Sequence, residues 1–274
     1  MNNFDNHNFS EKPEDYSAEE GPDSYFLEAQ EEIRAFYEKD KEGVYFLRQL
    51  QVMFEKKYYH WITYNATIQL KEMGYLKDVI IPSRKRASAR FFIHHSYRYP
   101  KRKINEVNKV IAAYSQDHIT RSCGHRAEDL FCGGLAMRGF MPVAKKVREY
   151  NGKKWEETGH DLDFVFQRDG IGYGCEIKNT LGYIPKEELE VKIKMCAFFH
   201  IRPLFIMRWS PKTYNYMIIK EGGFALLFEC QIYELSQVEL VKKIKEILNF
   251  PVDHPKAIPD GIIDRFVKWH ENNL

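Results

Sequence analysis

The chain has 274 residues, of which 44% are hydrophobic, 15% aromatic and 29% charged, and its net charge is +2. This is an ordinary globular composition, and the length suits one large domain or two modest ones. No apolar stretch approaches the length of a membrane span and no signal peptide opens the sequence, so we expect a cytoplasmic protein without membrane association. The five cysteines never form a CxxC pair, which favours reduced thiols over a zinc site or a disulfide framework.

The charge is distributed unevenly along the chain. Residues 1–42 contain 4 basic and 13 acidic residues, a net charge of −9, whereas residues 43–150 contain 20 basic and 8 acidic residues, a net charge of +12. Residues 151–274 are close to neutral, at −1. A basic middle segment favours a polyanionic partner such as DNA. The alternative is an ordinary solvated face rich in lysine and arginine.

The first hundred residues predict a tail, three helices and two strands. Residues 1–23 are polar, acidic and without apolar periodicity, which predicts a disordered tail. Apolar residues then recur at helical spacing over residues 25–40, 44–58 and 63–73, and Gly74 is a natural helix end. The stretches "LKDVIIP" and "RFFIHH" predict two strands, joined by the basic segment "SRKRASA".

This order of helices and a basic hairpin resembles a winged helix-turn-helix domain, which we assign to residues 24–103. The matching features are the helix Thr63–Met73, the "GYL" exit that follows it, and the basic wing tip. The resemblance implies that the third helix enters the DNA major groove and that the wing contacts backbone phosphates. The implied DNA-binding residues are Tyr64, Asn65, Gln69 and Lys71 on the helix, and Arg84, Lys85 and Arg86 on the wing. Winged helices also serve as protein–protein modules, so both interpretations stay open.

A basic segment with interleaved tyrosines, "SYRYPKRK", follows the second predicted strand. Its cations Lys101, Arg102 and Lys103 could lie along a phosphate backbone, which makes them further candidate DNA-binding residues. The alternative is a plain linker that Pro100 interrupts. The stretch "INEVNKVIAAYSQDHI" then predicts an amphipathic helix that leads into a second domain, residues 104–274.

The second domain contains the strongest turn signal in the chain. A helix predicted over residues 124–140 carries Glu128, and two strands follow at "DLDFVF" and "GYGCEIKN", separated by Asp169-Gly170. A two-residue Asp-Gly turn fixes the register of such a hairpin. In that register Asp163 faces Glu176 and Asp161 faces Lys178, all on one face. The other face is apolar and is expected to lie in the core.

Opposed carboxylates on a sheet repel each other. A divalent cation between Asp163 and Glu176 would offset that repulsion, because Mg²⁺ prefers hard oxygen ligands. Lys178 could then orient or deprotonate an attacking water, or stabilise charge that develops on phosphorus. The alternative is a surface ladder of acids and bases that holds no metal.

The arrangement Asp163, hairpin, Glu176-x-Lys178, preceded by a helix with Glu128, resembles the PD-(D/E)xK nuclease superfamily over about residues 120–230. The resemblance implies Mg²⁺, for which Mn²⁺ could substitute, held by Asp163, Glu176 and the backbone carbonyl of Ile177. It implies that Lys178 is the catalytic lysine and that Glu128 is the helix-borne carboxylate that completes the metal site. Asp161 remains an alternative to Asp163, since both point to the same face.

The rest of the sequence predicts the frame of this domain. A helix with acidic residues in its first turn begins near residue 184 and leads to the apolar run "PLFIMRW", a buried strand expected beside the "EIK" strand. The stretches "YNYMIIK" and "FALLFEC" predict a terminal hairpin, and two helices follow at about 236–249 and 260–273. The predicted fold class is α/β, a restriction-endonuclease-like mixed sheet flanked by helices, preceded by a winged helix.

The resulting hypothesis is a Mg²⁺-dependent DNA endonuclease that acts as a homodimer, with a role in restriction, repair or junction resolution. The domain order resembles Mrr-type restriction enzymes, and the "CEIKN" strand with its following helix resembles archaeal-type Holliday junction resolvases. Two alternatives stay open: a winged-helix DNA-binding regulator whose nuclease fold does not cleave, and an RNA-processing nuclease.

Overall fold

The computed structural model describes residues 24–82 and 88–274, which fall into two compact units. The first unit runs to Gln116 and also includes Lys242–Phe250, while the second comprises 117–241 and 251–274. The division therefore differs from the predicted domain boundary at 103/104. The reason is that the helix after that boundary contacts the first strand of the chain and the returning segment, so it belongs to the first unit. The predicted tail and wing tip lie outside the described residues.

Among the described residues of the first unit, five helices or helical segments accompany a three-stranded antiparallel sheet of order β1-β3-β2. The elements are α1 (Ser24–Lys39), β1 (Val44–Phe46), α2 (Leu47–Phe54), α3 (His60–Glu72), β2 (Leu76–Ile81), β3 (Ala89–His94), α4 (Lys101–Tyr114) and, after the chain returns, a π-helical turn (Ile244–Leu248). The three helices α1 to α3 bury one apolar face each in a common core with Phe92 of β3. α3 ends before Gly74, whose positive φ of 75° is the expected conformation for a glycine stop.

The strand β1 was missed by the sequence analysis, which predicted one helix over residues 44–58. Val44 pairs with Ile93 and Phe46 pairs with Phe91, and only at Leu47 does the helix α2 begin. The three strand residues are apolar and continue the helical periodicity that follows them. Their partner strand lies nearly fifty residues further along the chain, so a local pattern cannot reveal the pairing.

The second unit contains a five-stranded mixed sheet of order β10-β9-β8-β7-β4, in which β8, β9 and β10 are parallel and β4 and β7 run antiparallel to their neighbours. Its elements are α5 (Asp117–Ala136), β4 (Met141–Val147), β5 (Glu149–Tyr150), β6 (Lys153–Lys154), β7 (Leu162–Arg168), β8 (Ile171–Lys178), α6 (Lys186–Phe199), β9 (Arg202–Met207), α7 (Lys212–Lys220), β10 (Phe224–Leu227), β11 (Gln231–Ile232), α8 (Val238–Lys243), β12 (Val252–Asp253) and α9 (Asp260–Glu271). A 3₁₀ turn at Leu235–Gln237 precedes α8.

Helices cover both faces of this sheet, which confirms the predicted mixed sheet flanked by helices. α5 and α9 pack on the face that carries Phe164 and Cys175. α6 packs on the opposite face, where its Cys196 meets Val165 of β7. α5 and α9 approach closely at Gly134, where an added Cβ would lie 2.2 Å from Cδ1 of Ile263. Among the helices of the described residues, none combines the length and apolar character needed to cross a bilayer.

Two predictions about the frame of the sheet can be compared with the structure. The crossover is confirmed, because β8 continues through α6 into the parallel neighbouring strand β9. The predicted terminal hairpin is wrong: "YNYMIIK" forms the helix α7, and β10 lies parallel to β9. Tyr214, Met217 and Ile218 have helical spacing and pack against one apolar cluster, and Pro211 just before the helix suits a helix start.

Helix α9 is attached to the β7–β8 hairpin through a buried histidine. The ring nitrogen Nδ1 of His270 lies 2.7 Å from the hydroxyl of Tyr173, and Nε2 lies 3.0 Å from Oδ2 of Asp169 in the hairpin turn. Both His270 and Tyr173 are fully buried. These bonds lower the pKa of Asp169, chiefly through the hydrogen bond from His270.

Candidate active site

The hairpin β7–β8 has the predicted register. Asp169 and Gly170 form its turn, both with positive φ of 52° and 76°, and Arg168 pairs with Ile171. The pairing runs on to Phe164 and Cys175. As predicted, the face that carries these apolar residues is core, so the alternate residues of both strands point to the face that α6 covers.

The two strands stop pairing at the point where the predicted site begins. Beyond Phe164 and Cys175 the regular ladder ends, and the backbone N–H of Ile177 donates to Oδ2 of Asp163 at 2.7 Å. A side-chain carboxylate thus takes the place of a backbone carbonyl. This contact fixes Asp163 beside β8. Ile177, predicted to offer its carbonyl to a metal, contributes its N–H to the site and its side chain to the core.

Glu176 lies at the centre of a buried group of charges. Its side chain is 2% exposed, and each of its oxygens contacts an ammonium group. Lys192 of α6 lies 2.5 Å from Oε2, and Lys178 lies 3.2 Å from Oε1. Lys178 also contacts Oε1 of Glu188, at 2.8 Å. We call the five residues Asp163, Glu176, Lys178, Glu188 and Lys192 the charge cluster.

The electrostatics of the charge cluster follow from burial and from these contacts. Burial and the neighbouring Glu176 raise the pKa of Asp163 to about 8, although Lys192 and the N–H of Ile177 act in the opposite direction. Burial alone would lower the pKa of Lys178, but Glu176 and Glu188 raise it above its ordinary value. In the absence of a cation, burial and Glu176 thus favour the protonated form of Asp163, while the neighbouring acids keep Lys178 an ammonium ion.

The helix α6 supplies two members of the charge cluster that the sequence analysis did not single out. Glu188 and Lys192 are four residues apart, which places both on the side of the helix that faces the sheet. Burial raises and the Lys178 ammonium lowers the pKa of Glu188, with a net decrease. A signal was present in the sequence: Lys192 lies three residues after Leu189 and four before Cys196, inside the apolar stripe.

The structure places Glu128 apart from this group. Its carboxylate contacts the ammonium group of Lys145, with Oε2 at 3.1 Å from Nζ. Lys145 pairs with Phe164 across β4 and β7, and its ammonium lies over the Phe164 ring. Since adjacent residues of a strand point to opposite faces, this is the face opposite to Asp163. On the Asp163 face, the helix-borne acid near the hairpin is Glu188 of α6, which contacts Lys178.

Asp161 also differs from the predicted arrangement. β7 begins at Leu162, so Asp161 precedes the paired strand and does not face Lys178 in the ladder. Its backbone carbonyl accepts a hydrogen bond from Lys192. Within residues 24–82 and 88–274, no group of three or more His, Cys, Asp or Glu side chains is arranged to hold a metal ion.

The predicted DNA-binding residues that the structure describes lie on two helices of the first unit. On α3, Gln69 is exposed and Asn65 and Lys71 are half-buried, whereas Tyr64 packs against the core of the unit. The wing residues Arg84, Lys85 and Arg86 lie outside the described residues. Lys101, Arg102 and Lys103 are exposed, and they form the first turn of α4 rather than a linker.

One of these cations has partners within the first unit. The ammonium of Lys103 donates to the carbonyl of Glu42 at 2.9 Å and lies 5.8 Å from the centre of the Tyr97 ring. Three cations at the start of a helix oppose the helix dipole, so an anion close to them would be favourable.

Comparisons with family models, with curated proteins and with solved structures returned no match for this chain.

Proposed function

We propose that the protein is a divalent-cation-dependent DNA endonuclease whose active site is the charge cluster of the second unit. The observation that carries this function is the contact of the Asp163 carboxylate with the N–H of Ile177, beside the buried Glu176. Two acids and Lys178 are thereby held on one face of a hairpin that opens where they meet. The resemblance to the PD-(D/E)xK superfamily rests on these three residues.

The element order of both units supports the same function. In the second unit, a helix, an antiparallel run of three strands, a crossover helix and a parallel strand match the α/β core expected of such nucleases. In the first unit, a helix, a strand, two helices and two strands in a β1-β3-β2 sheet match the order expected of a winged helix. The exposed cations at the start of α4 would then contact DNA phosphates.

The donor chemistry of the charge cluster fits Mg²⁺. Asp163 and Glu176 offer carboxylate oxygens, and burial, together with the negative charge of Glu176, raises the pKa of Asp163. Asp163 and Glu176 would hold the cation, which supplies positive charge to a phosphoryl oxygen and acidifies a bound water. Because Oε2 of Glu176 already contacts the ammonium of Lys192, a cation that binds this oxygen must displace Lys192 from it.

The residues of the charge cluster have distinct roles in this proposal. Lys178 is held by Glu176 and Glu188 and stays charged, so it would stabilise negative charge on the scissile phosphate rather than accept a proton. Glu188 positions Lys178 from α6. Glu188 is thus the helix-borne acid beside the site, but it binds Lys178, whereas the resemblance assigned Glu128 to the metal.

Cleavage of supercoiled, linear and four-way-junction DNA with Mg²⁺ or with EDTA tests the function. We expect metal-dependent nicking by the wild type and none by Lys178→Ala, which should still bind DNA. A complete lack of cleavage on all three substrates would instead support a non-cleaving DNA-binding protein. That second candidate is favoured by one observation, the two ammonium groups that already neutralise Glu176. Stronger cleavage of a matched RNA duplex would reassign the substrate.

A further inference from the structure

Lys192 is a buried lysine in an apolar part of α6. Its side chain is 5% exposed, and its helical neighbours Leu189 and Cys196 pack into the core on either side of it. A buried ammonium group is stable only when its charge is compensated and its N–H donors are bound. Lys192 meets both requirements, since its ammonium contacts Oε2 of Glu176 at 2.5 Å and donates to the carbonyl of Asp161.

The two lysines that contact Glu176 differ in their access to the outside. The side chain of Lys178 is 26% exposed, which leaves part of it open to a substrate, whereas Lys192 is enclosed. Burial alone would lower the pKa of Lys192, but Glu176 and Asp163 keep it raised. Because Lys192 is buried and its ammonium contacts Oε2, its charge acts on Glu176 and not on the solvent.

We propose that Lys192 is the internal counter-ion of Glu176, so that pairing of Lys192 with Oε2 and binding of a divalent cation by Glu176 exclude each other. This inference rests on the proposed metal-dependent function. In the cation-free protein, Lys192 compensates Glu176 and keeps its carboxylate in place. When a cation binds, the ammonium withdraws from Oε2 and keeps its bond to the Asp161 carbonyl. Lys192 is thus a positioning residue that sets the affinity of the site for metal.

The test is Mn²⁺ binding, measured by titration calorimetry and by the loss of the free Mn²⁺ electron paramagnetic resonance signal. Lys192→Met removes the competing charge but keeps the length of the side chain, and we expect the Kd for Mn²⁺ to fall at least about tenfold. Lys192→Gln, which stays polar, should shift the Kd in the same direction if the methionine variant does not fold. Lys194→Met is the matched control, because Lys194 is exposed on the same helix. An equal or weaker affinity in both Lys192 variants would overturn the inference.

Unfolding in EDTA separates this inference from the proposed nuclease function. Without a cation, Lys192→Met should lower the Tm, and adding Glu176→Gln should recover part of the loss, since the buried charge without a partner is then gone. Tighter Mn²⁺ binding without cleavage of any DNA would refute the nuclease and leave the counter-ion role standing. If the wild type cleaves DNA but substitution of Lys192 leaves the Mn²⁺ affinity unchanged, the counter-ion role is refuted and the nuclease function stands. Failure of every variant to bind Mn²⁺ would also overturn the counter-ion role.

Discussion

The ammonium group of Lys178 lies 2.8 Å from Oε1 of Glu188, so a carboxylate on α6 holds the lysine of the hairpin. Removing that charge should leave Lys178 held by Glu176 alone and lower the pKa of Lys178. We expect Glu188→Gln to reduce DNA cleavage about ten- to a hundredfold, as loss of a supporting partner commonly does. Glu128→Gln should remain close to wild type, because Glu128 pairs with Lys145 on the other face. A larger loss in Glu128→Gln than in Glu188→Gln would reverse the assignment of the helix-borne acid.

Replacing Asp163 or Asp161 by asparagine distinguishes the proposed metal ligand from its neighbour. Asp163→Asn removes a proposed metal ligand, and we expect cleavage to fall about a hundredfold or more while DNA binding persists. Asp161→Asn should retain most activity, because Asp161 enters the site only through its backbone carbonyl. Single-turnover cleavage with Mg²⁺ measures both. An inactive Asp161→Asn beside an active Asp163→Asn would show that the wrong aspartate has been chosen.

Asp163 should make the stability of the metal-free protein depend on pH. Its pKa of about 8 in the folded state exceeds its value in the unfolded chain, so the folded state binds more protons between about pH 4 and pH 8. The free energy of unfolding should therefore fall as the pH rises through this window, by at most about 1.4 kcal/mol per pH unit from this group. Asp163→Asn should flatten that slope in urea unfolding with EDTA. Parallel slopes in the two proteins would contradict it.

The cations at the start of α4 should contribute to DNA affinity through phosphate contacts. Replacing Lys101, Arg102 and Lys103 by glutamine should weaken binding and reduce the slope of log K against log salt by up to about three. Fluorescence anisotropy over a range of salt concentrations measures the slope. Replacing Lys212 and Lys220, at the two ends of α7, is the control and should leave the slope near that of the wild type. An unchanged slope in the triple variant would remove α4 from the DNA interface.

His270 should be required for stability rather than for cleavage. His270→Ala leaves a cavity and removes a close partner of the buried Tyr173 hydroxyl, so we expect a loss of about 2–4 kcal/mol in the free energy of unfolding. Asp169→Asn should cost less, because Asp169 is exposed. Urea unfolding at neutral pH compares the two. A loss below about 1 kcal/mol for His270→Ala would mean that α9 is held by its apolar contacts alone.

The parts of the fold that depend on neighbouring residues could be predicted from the sequence. The Asp169-Gly170 turn alone fixes which residues of β7 and β8 face the core, and the register agrees pair by pair down to Phe164. The ladder beyond that point could not be predicted by extrapolation. There the Asp163 side chain replaces a backbone carbonyl as the acceptor for the N–H of Ile177, and the turn signal carries no information about this contact.

The missed elements and residues depend on contacts between distant parts of the chain. β1 exists because Val44 meets Ile93, and neither residue is near the other in sequence. Nothing in the residues next to Lys192 in sequence shows that its ammonium contacts Glu176, which lies 16 residues earlier in the chain. An ammonium inside an apolar stripe is the feature that could have identified it, since such a position is costly without a partner.

The segment Lys242–Phe250 decides where the protein can be cut into stable pieces. Phe250 packs edge-on against Phe46 of β1 and against Tyr114 of α4, all within the first unit. A fragment that stops at residue 116 would leave these aromatic rings facing water. Deletion mapping that assigns DNA binding to an N-terminal fragment would then measure a damaged domain. An isolated first unit that keeps these contacts needs residues 242–250 attached after residue 116 through a designed linker.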